Sequence, residues 1–150
     1  DYILRNAILD GPFGLPLLKP PWGWISALDM NTGKMLWQRP NSRTPREIQG
    51  HLLLAGVAIP DTGNDDRSAL LVAKTLLFSG EGAGMYGARW GGSLFRAHDK
   101  RSGRVVAEIE LGQRQTGVPM TYAIGGQQYI VVATGAPGEA GQLVALTVSQ

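Results

Sequence analysis

The chain has 150 residues, 43% of them hydrophobic, with 14 lysines and arginines against 12 acidic residues, a net charge of +2, and no cysteine. That length suffices for a domain with a real core. The scattered, nearly balanced charges give no nucleic-acid footprint, and the missing thiols exclude disulfides, thiolate metal sites and Cys-x-x-Cys-His haem attachment within these residues. No apolar run approaches the roughly 20 residues of a membrane-spanning helix. A start at Asp1-Tyr2, without Met or a signal peptide, predicts a mature or excised piece. The 21 glycines and 9 prolines favour many short elements joined by tight turns, hence an all-β fold.

In chain order, residues 1–23 read as a loop-rich lead-in with no clean period, ending near Pro20-Pro21. A hairpin follows. Trp24 to Asp29 and Lys34 to Gln38 flank a turn in which Asp29 and Asn31 can accept backbone hydrogen bonds and Gly33 can take positive φ. Residues 40–67 are polar and proline-marked, a long irregular insertion with one short apolar run from His51 to Ile59 that suits a helical turn or a strand. Within it, Asp61, Asp65 and Asp66 lack the spacing of an EF-hand and read as a solvated turn. Ser68 to Ser79 predicts a buried hairpin, with helix as the competing reading because Ala, Leu and Lys favour helices.

The glycine-dense GEGAGMYGARWGG forbids a regular element and has no Gly-Lys-Ser/Thr of a phosphate loop. Ser93 to Asp99 and Arg104 to Leu111 then predict a second hairpin. Val118 to Tyr122, Gln128 to Thr134 and Gln142 to Val148 predict a strand-rich tail, for nine or ten short strands in all. His51 and His98 have no partner at metal or triad spacing and read as structural.

The two hairpins are copies. ALDMNTGKMLW from Ala27 and AHDKRSGRVVA from Ala97 share Ala-x-Asp-x-x-Thr/Ser-Gly-Lys/Arg, with Ala107 where the first copy has Trp37. A repeated hairpin points to propeller blades, and the separation of about 70 residues exceeds the roughly 40–50 of a simple blade because of the insertion.

On these residues, and on GLPLLKPPWG, LLVAKTLLFSGEG, RAHDKRSGRVVAEIEL and GVPMTYAIGGQQYIVVATG, the chain resembles the pyrroloquinoline-quinone-dependent dehydrogenases, closest to their glucose-dehydrogenase-like branch. The resemblance runs from about Gly14 to the end. It implies the C-terminal sector, about two to three four-stranded antiparallel blades, of an eight-bladed β-propeller, in which the Trp of the repeated motif wedges one blade against the next. It implies a periplasmic or membrane-associated enzyme that oxidises a sugar or other alcohol with hydride transfer to pyrroloquinoline quinone and passes electrons to ubiquinone or a cytochrome c. The alternative is a non-catalytic propeller scaffold.

The family's catalytic base and its Ca2+ ligands match no segment here, so the resemblance places both outside this chain and implies an inactive sector when isolated. The remaining blades, from the same polypeptide or a complementing chain, become its partners. Two strand approaches match places where the family lines its quinone: Asp66, Arg67 and Ser68, and Gly135, Ala136 and Pro137. Arg67 would pair with a quinone carboxylate. Met85, Tyr86 and Trp90 are expected at the substrate mouth.

Overall fold

The computed structural model describes residues 11–65, 69–82 and 90–147. Among them lie ten strands, one helix of a single turn and two 3-10 turns, an all-β chain. Strands β1 (Trp24–Leu28) and β2 (Met35–Pro40) make a two-stranded antiparallel hairpin. A complete four-stranded meander follows, of β3 (Leu70–Val72), β4 (Leu76–Gly80), β5 (Leu94–Asp99) and β6 (Val105–Glu110), paired in chain order. In the last sheet β7 (Arg114–Gln115) and β8 (Met120–Ile124) share one edge of β9 (Gln127–Gly135), and β10 (Gln142–Thr147) takes the other. Half a blade, a whole blade and an unfinished blade are what a sector of a propeller presents. The segment around Ala73-Lys74-Thr75 is a hairpin and not a helix: Leu71 pairs Phe78, and the Ala73 amide donates to the Leu76 carbonyl at 2.9 Å.

The repeated motif folds twice into one geometry. In each copy the Asp amide donates across the turn, Asp29 to Lys34 at 2.9 Å and Asp99 to Arg104 at 2.8 Å. The Asp carbonyl accepts from the glycine amide, at 2.7 Å from Gly33 and 2.8 Å from Gly103. Those glycines sit at φ of 69° and 70°, where a β-carbon is strained, which is why glycine recurs there. The carboxylates cap the turns: Asp29 Oδ1 accepts from the Asn31 and Thr32 amides, and Asp99 Oδ1 from the Ser102 amide and hydroxyl. Those Ser102 hydrogen bonds hold the Asp99 carboxyl below the usual aspartate range.

Trp37 does not serve its own turn. Its indole N–H donates to the Lys100 carbonyl at 3.0 Å, and its ring covers Gly103 so closely that a β-carbon there would sit 2.5 Å from Trp37 Cε3. The first hairpin therefore clasps the turn of the second. Ala107, which replaces the indole in the second copy, lies on β6, and by the same geometry its receiving turn would follow β10, beyond the described residues.

The complete blade has two unlike faces. One carries Phe95, which packs with Leu111, Val132, Phe78, Ile130, Val144 and Leu146 into the apolar core shared with the last sheet. The other, toward β1 and β2, is buried but polar. Arg96, 3% exposed, bridges Glu81 and Glu108, its Nε lying 2.7 Å from Glu108 Oε1, and Glu108 also binds Arg43 at 2.7 Å. Ser79 Oγ lies 2.9 Å from His98 Nε2, while His98 Nδ1 faces the Gly103 carbonyl at 3.3 Å. A carbonyl can only accept, so Nδ1 carries the proton and Nε2 accepts from Ser79.

Burial pushes the His98 imidazole below its ordinary value, the Gly103 hydrogen bond acts against that, and the Arg96 cation adds to it. Because the folded value is depressed, the unfolded chain takes a proton first as the pH falls. Stability is level above about 6.5, declines below it, and stops declining once the pH has passed the folded value. Urea midpoints measured from pH 8 to pH 5 should fall in that window, and His98→Gln should flatten the fall.

The long insertion is packed rather than solvated at its end. Asp61 and Asp65 are exposed, as a solvated turn requires, but Thr62 and Asn64 between them are buried. Two glycines allow the close approach: Gly63 donates to the Ser42 carbonyl, and Asn64 bonds Asn41 beside Gly23. The apolar run from His51 contains a 3-10 turn (Leu52–Leu54), capped by His51 Nδ1 accepting from the Leu53 amide.

Candidate functional site

A meander sends alternate connections to opposite ends of its strands. The tight turns, at residues 29–34, 73–75, 99–104 and 125–126, all fall at one end. The described parts of the long connections, within 41–69, 81–93, 111–119 and 136–141, fall at the other, which puts Trp90, Ala136 and Pro137 on one loop face.

A cavity of about 530 Å³ opens on that face, lined from all four long connections. Arg43, Arg46 and Glu47 come from the insertion, with the single-turn helix α1 (Arg46–Gln49) seated by buried Ile48. Glu81 and Trp90 come from the two ends of the β4–β5 connection, which Gly92 closes by donating to the Glu81 carbonyl at 2.8 Å. Arg114 begins β7, and Ala136 follows β9. Trp90 is buried and packs on Trp22 with ring centroids 5.4 Å apart, so the indole forms a fixed wall.

The Ala136 turn is held from its neighbour: Gln113 Nε2 donates to Glu139 Oε2 at 2.7 Å, and the Glu139 amide donates to the Ala136 carbonyl at 3.1 Å. Gln115, nearly fully buried, ties the last sheet to the complete blade through Nε2, which donates to the carbonyls of Ala69 at 3.0 Å and Gly117 at 2.7 Å.

Of the predicted cofactor residues, Ala136 lines the cavity, Gly135 ends β9 behind it, and Pro137 is exposed outside it. Asp66, Arg67 and Ser68 lie outside the described residues, as do Met85 and Tyr86, whereas Trp90 is a cavity wall. Sequence reasoning missed Arg46, Arg114, Glu81 and Glu110. Its available signal was the repeat phase, since Arg114 and Glu81 occupy the same kind of connection as the residues that were chosen.

A family model described as PQQ: Glucose/ethanol/alcohol dehydrogenase, beta-propeller domain matches residues 1–130. The chain belongs to this family. Among its relatives are the quinoprotein glucose dehydrogenases of Escherichia coli (strain K12), 30% identical over 134 residues and 87% of this chain, and of Gluconobacter oxydans (strain 621H), 30% identical over 131 residues and 83% of this chain. The glycerol dehydrogenase large subunit of Gluconobacter thailandicus is 31% identical over 123 residues, or 81% of this chain. In each case the match covers only 15% of the relative's length. The two-, four- and four-stranded sheets are accordingly blades of a quinoprotein propeller, and Trp37 over Gly103 is a joint between two of them.

The cavity fits the family's quinone, a planar ring system bearing carboxylates. Trp90 offers a flat wall, and the Arg46 and Arg114 side chains make no ion pair with any described residue, leaving two guanidiniums for carboxylates.

Proposed function

We propose that this chain is the C-terminal sector of a quinoprotein dehydrogenase oxidising a sugar or other alcohol, with pyrroloquinoline quinone held on the loop face. The observation that carries the reading is the convergence of Trp90, Arg46, Arg114 and Ala136 on one cavity in a chain of this family. When bound, the quinone supplies a two-electron acceptor for hydride from the alcohol carbon.

This chain's own residues bind and position. Arg46 and Arg114 would hold carboxylates in a charge-assisted way, Trp90 would exclude water on its side of the cavity, and the Ala136 turn would offer backbone there. Glu47, Glu81 and Glu110 line the same cavity and set a local charge that disfavours surplus anions. The base that takes the hydroxyl proton and the Ca2+ ligands belong, on this proposal, to blades outside the chain. Among the described residues no group of three or more His, Cys, Asp or Glu is placed to hold a metal ion. Ubiquinone or a cytochrome c would receive the electrons.

Titrating the purified protein with the quinone, read by quenching of tryptophan fluorescence, tests the reading. Arg46→Gln and Arg114→Gln should each weaken binding about tenfold, the loss of one charge-assisted hydrogen bond. Unchanged affinity in the double variant would remove the quinone from this cavity.

A further inference from the structure

We propose that the crevice between β2 and the β5–β6 hairpin is a binding site for a small phosphate-like oxyanion. It shares Ser42 and Arg43 with the loop-face cavity but is otherwise lined by other residues, and it does not rest on the quinone reading. The crevice has a volume of about 720 Å³ and gathers four guanidiniums, those of Arg39, Arg43, Arg96 and Arg104, against two carboxylates, Asp61 and Glu108. His98 also lines it, but burial disfavours its cation and outweighs the opposing hydrogen bond to the Gly103 carbonyl.

The charges cancel only in part, with Glu81 also paired to Arg96 from outside the crevice. Glu108 is shared by Arg96 and Arg43, whereas the Arg39 and Arg104 side chains make no ion pair with any described residue. Arg96 supplies a second, independent sign: it is 3% exposed, it lines the crevice, and its Nη2 has no hydrogen-bond partner. A buried donor without an acceptor is costly, and two surplus guanidiniums facing one cleft repel. One oxyanion between them answers both, since its oxygens match the planar fork of arginine bidentately.

The polar neighbours leave recognition to those arginines. The Ser102 hydroxyl already donates to Asp99, and the Asn41 amide is engaged with Asn64. The loop-face cavity has its Trp90 wall and suits a planar ligand, while this crevice has no aromatic lining and suits a compact one.

The test is calorimetric titration of the purified protein with inorganic phosphate at ionic strength fixed by sodium chloride. A second arm uses phosphatidylcholine vesicles containing phosphatidylglycerol, to separate a free anion from a lipid headgroup. Saturable binding is expected, weakened about tenfold by each of Arg39→Gln and Arg104→Gln. Arg101→Gln, in the same turn but outside the crevice, should leave it unchanged. Both substituted arginines are exposed, so near-ultraviolet circular dichroism should stay that of the parent.

Vesicle binding without phosphate binding, lost in the double variant, would assign the headgroup as the source and keep the site. Absence of binding in both arms, equal affinity in the double variant, or an equal loss in Arg101→Gln would overturn it.

Discussion

Gly103→Ala is expected to cost about 3 kcal/mol, and Gly33→Ala only about 1–2 kcal/mol. Both glycines sit at the same positive φ, so the backbone strain is common to the two variants. At Gly33 a β-carbon meets nothing within 4 Å, while at Gly103 it would press into the Trp37 ring. The difference between the variants thus measures the blade joint apart from the turn. In a Trp37→Ala background the two should cost the same, because the clash is gone, and that non-additivity is read from urea midpoints of the single and double variants. Trp37→Ala itself removes both the ring packing and the hydrogen bond to Lys100.

Arg96→Met should be the more damaging change, about 3–5 kcal/mol, because it strands two carboxylates beside a buried apolar side chain. They are not stranded equally. Glu108 is 29% exposed and keeps Arg43, whereas Glu81 is 11% exposed and has no other ion pair among the described residues. Adding Glu81→Gln to Arg96→Met should therefore restore most of the lost stability, and adding Glu108→Gln should restore little. Equal rescue would mean that solvent reaches Glu81 as freely as Glu108.

Much of this fold was legible because its turns are chemically explicit. Asp29, Gly33, Asp99 and Gly103 announce two hairpins by residue type alone, and Trp37 against Ala107 marks a wedge carried by one copy and lacking in the other. The resemblance also pointed to the Gly135-Ala136-Pro137 turn, of which Ala136 lines the loop-face cavity. The partition of the blade faces was not legible. Arg96, His98 and Ser79 alternate with Phe95, Ala97 and Phe78, but that the polar face is covered by β2 and the insertion, with ion pairs replacing water, shows only in the three-dimensional arrangement.

The burial of Thr62 and Asn64 was not legible either, since it depends on Gly23 and Gly63 letting three backbone segments meet. β7 escaped notice because two residues carry no period, and Arg114 escaped with it. The site is legible from sequence only where a resemblance points to it, since a cavity drawn from four connections has no local signature.

On the proposed function, this propeller sector helps hold a quinone that oxidises an alcohol. Reduction of an artificial dye by the full-length polypeptide, supplied with pyrroloquinoline quinone and Ca2+ and offered glucose and a panel of simple alcohols and polyols, tests it most directly. The account predicts quinone-dependent reduction with at least one sugar or alcohol, lowered by Arg46→Gln and Arg114→Gln at subsaturating quinone and restored as the quinone is raised. Absence of reduction with every member of the panel, under conditions where the protein is folded and the quinone is in excess, would contradict it and favour a propeller that serves as a scaffold.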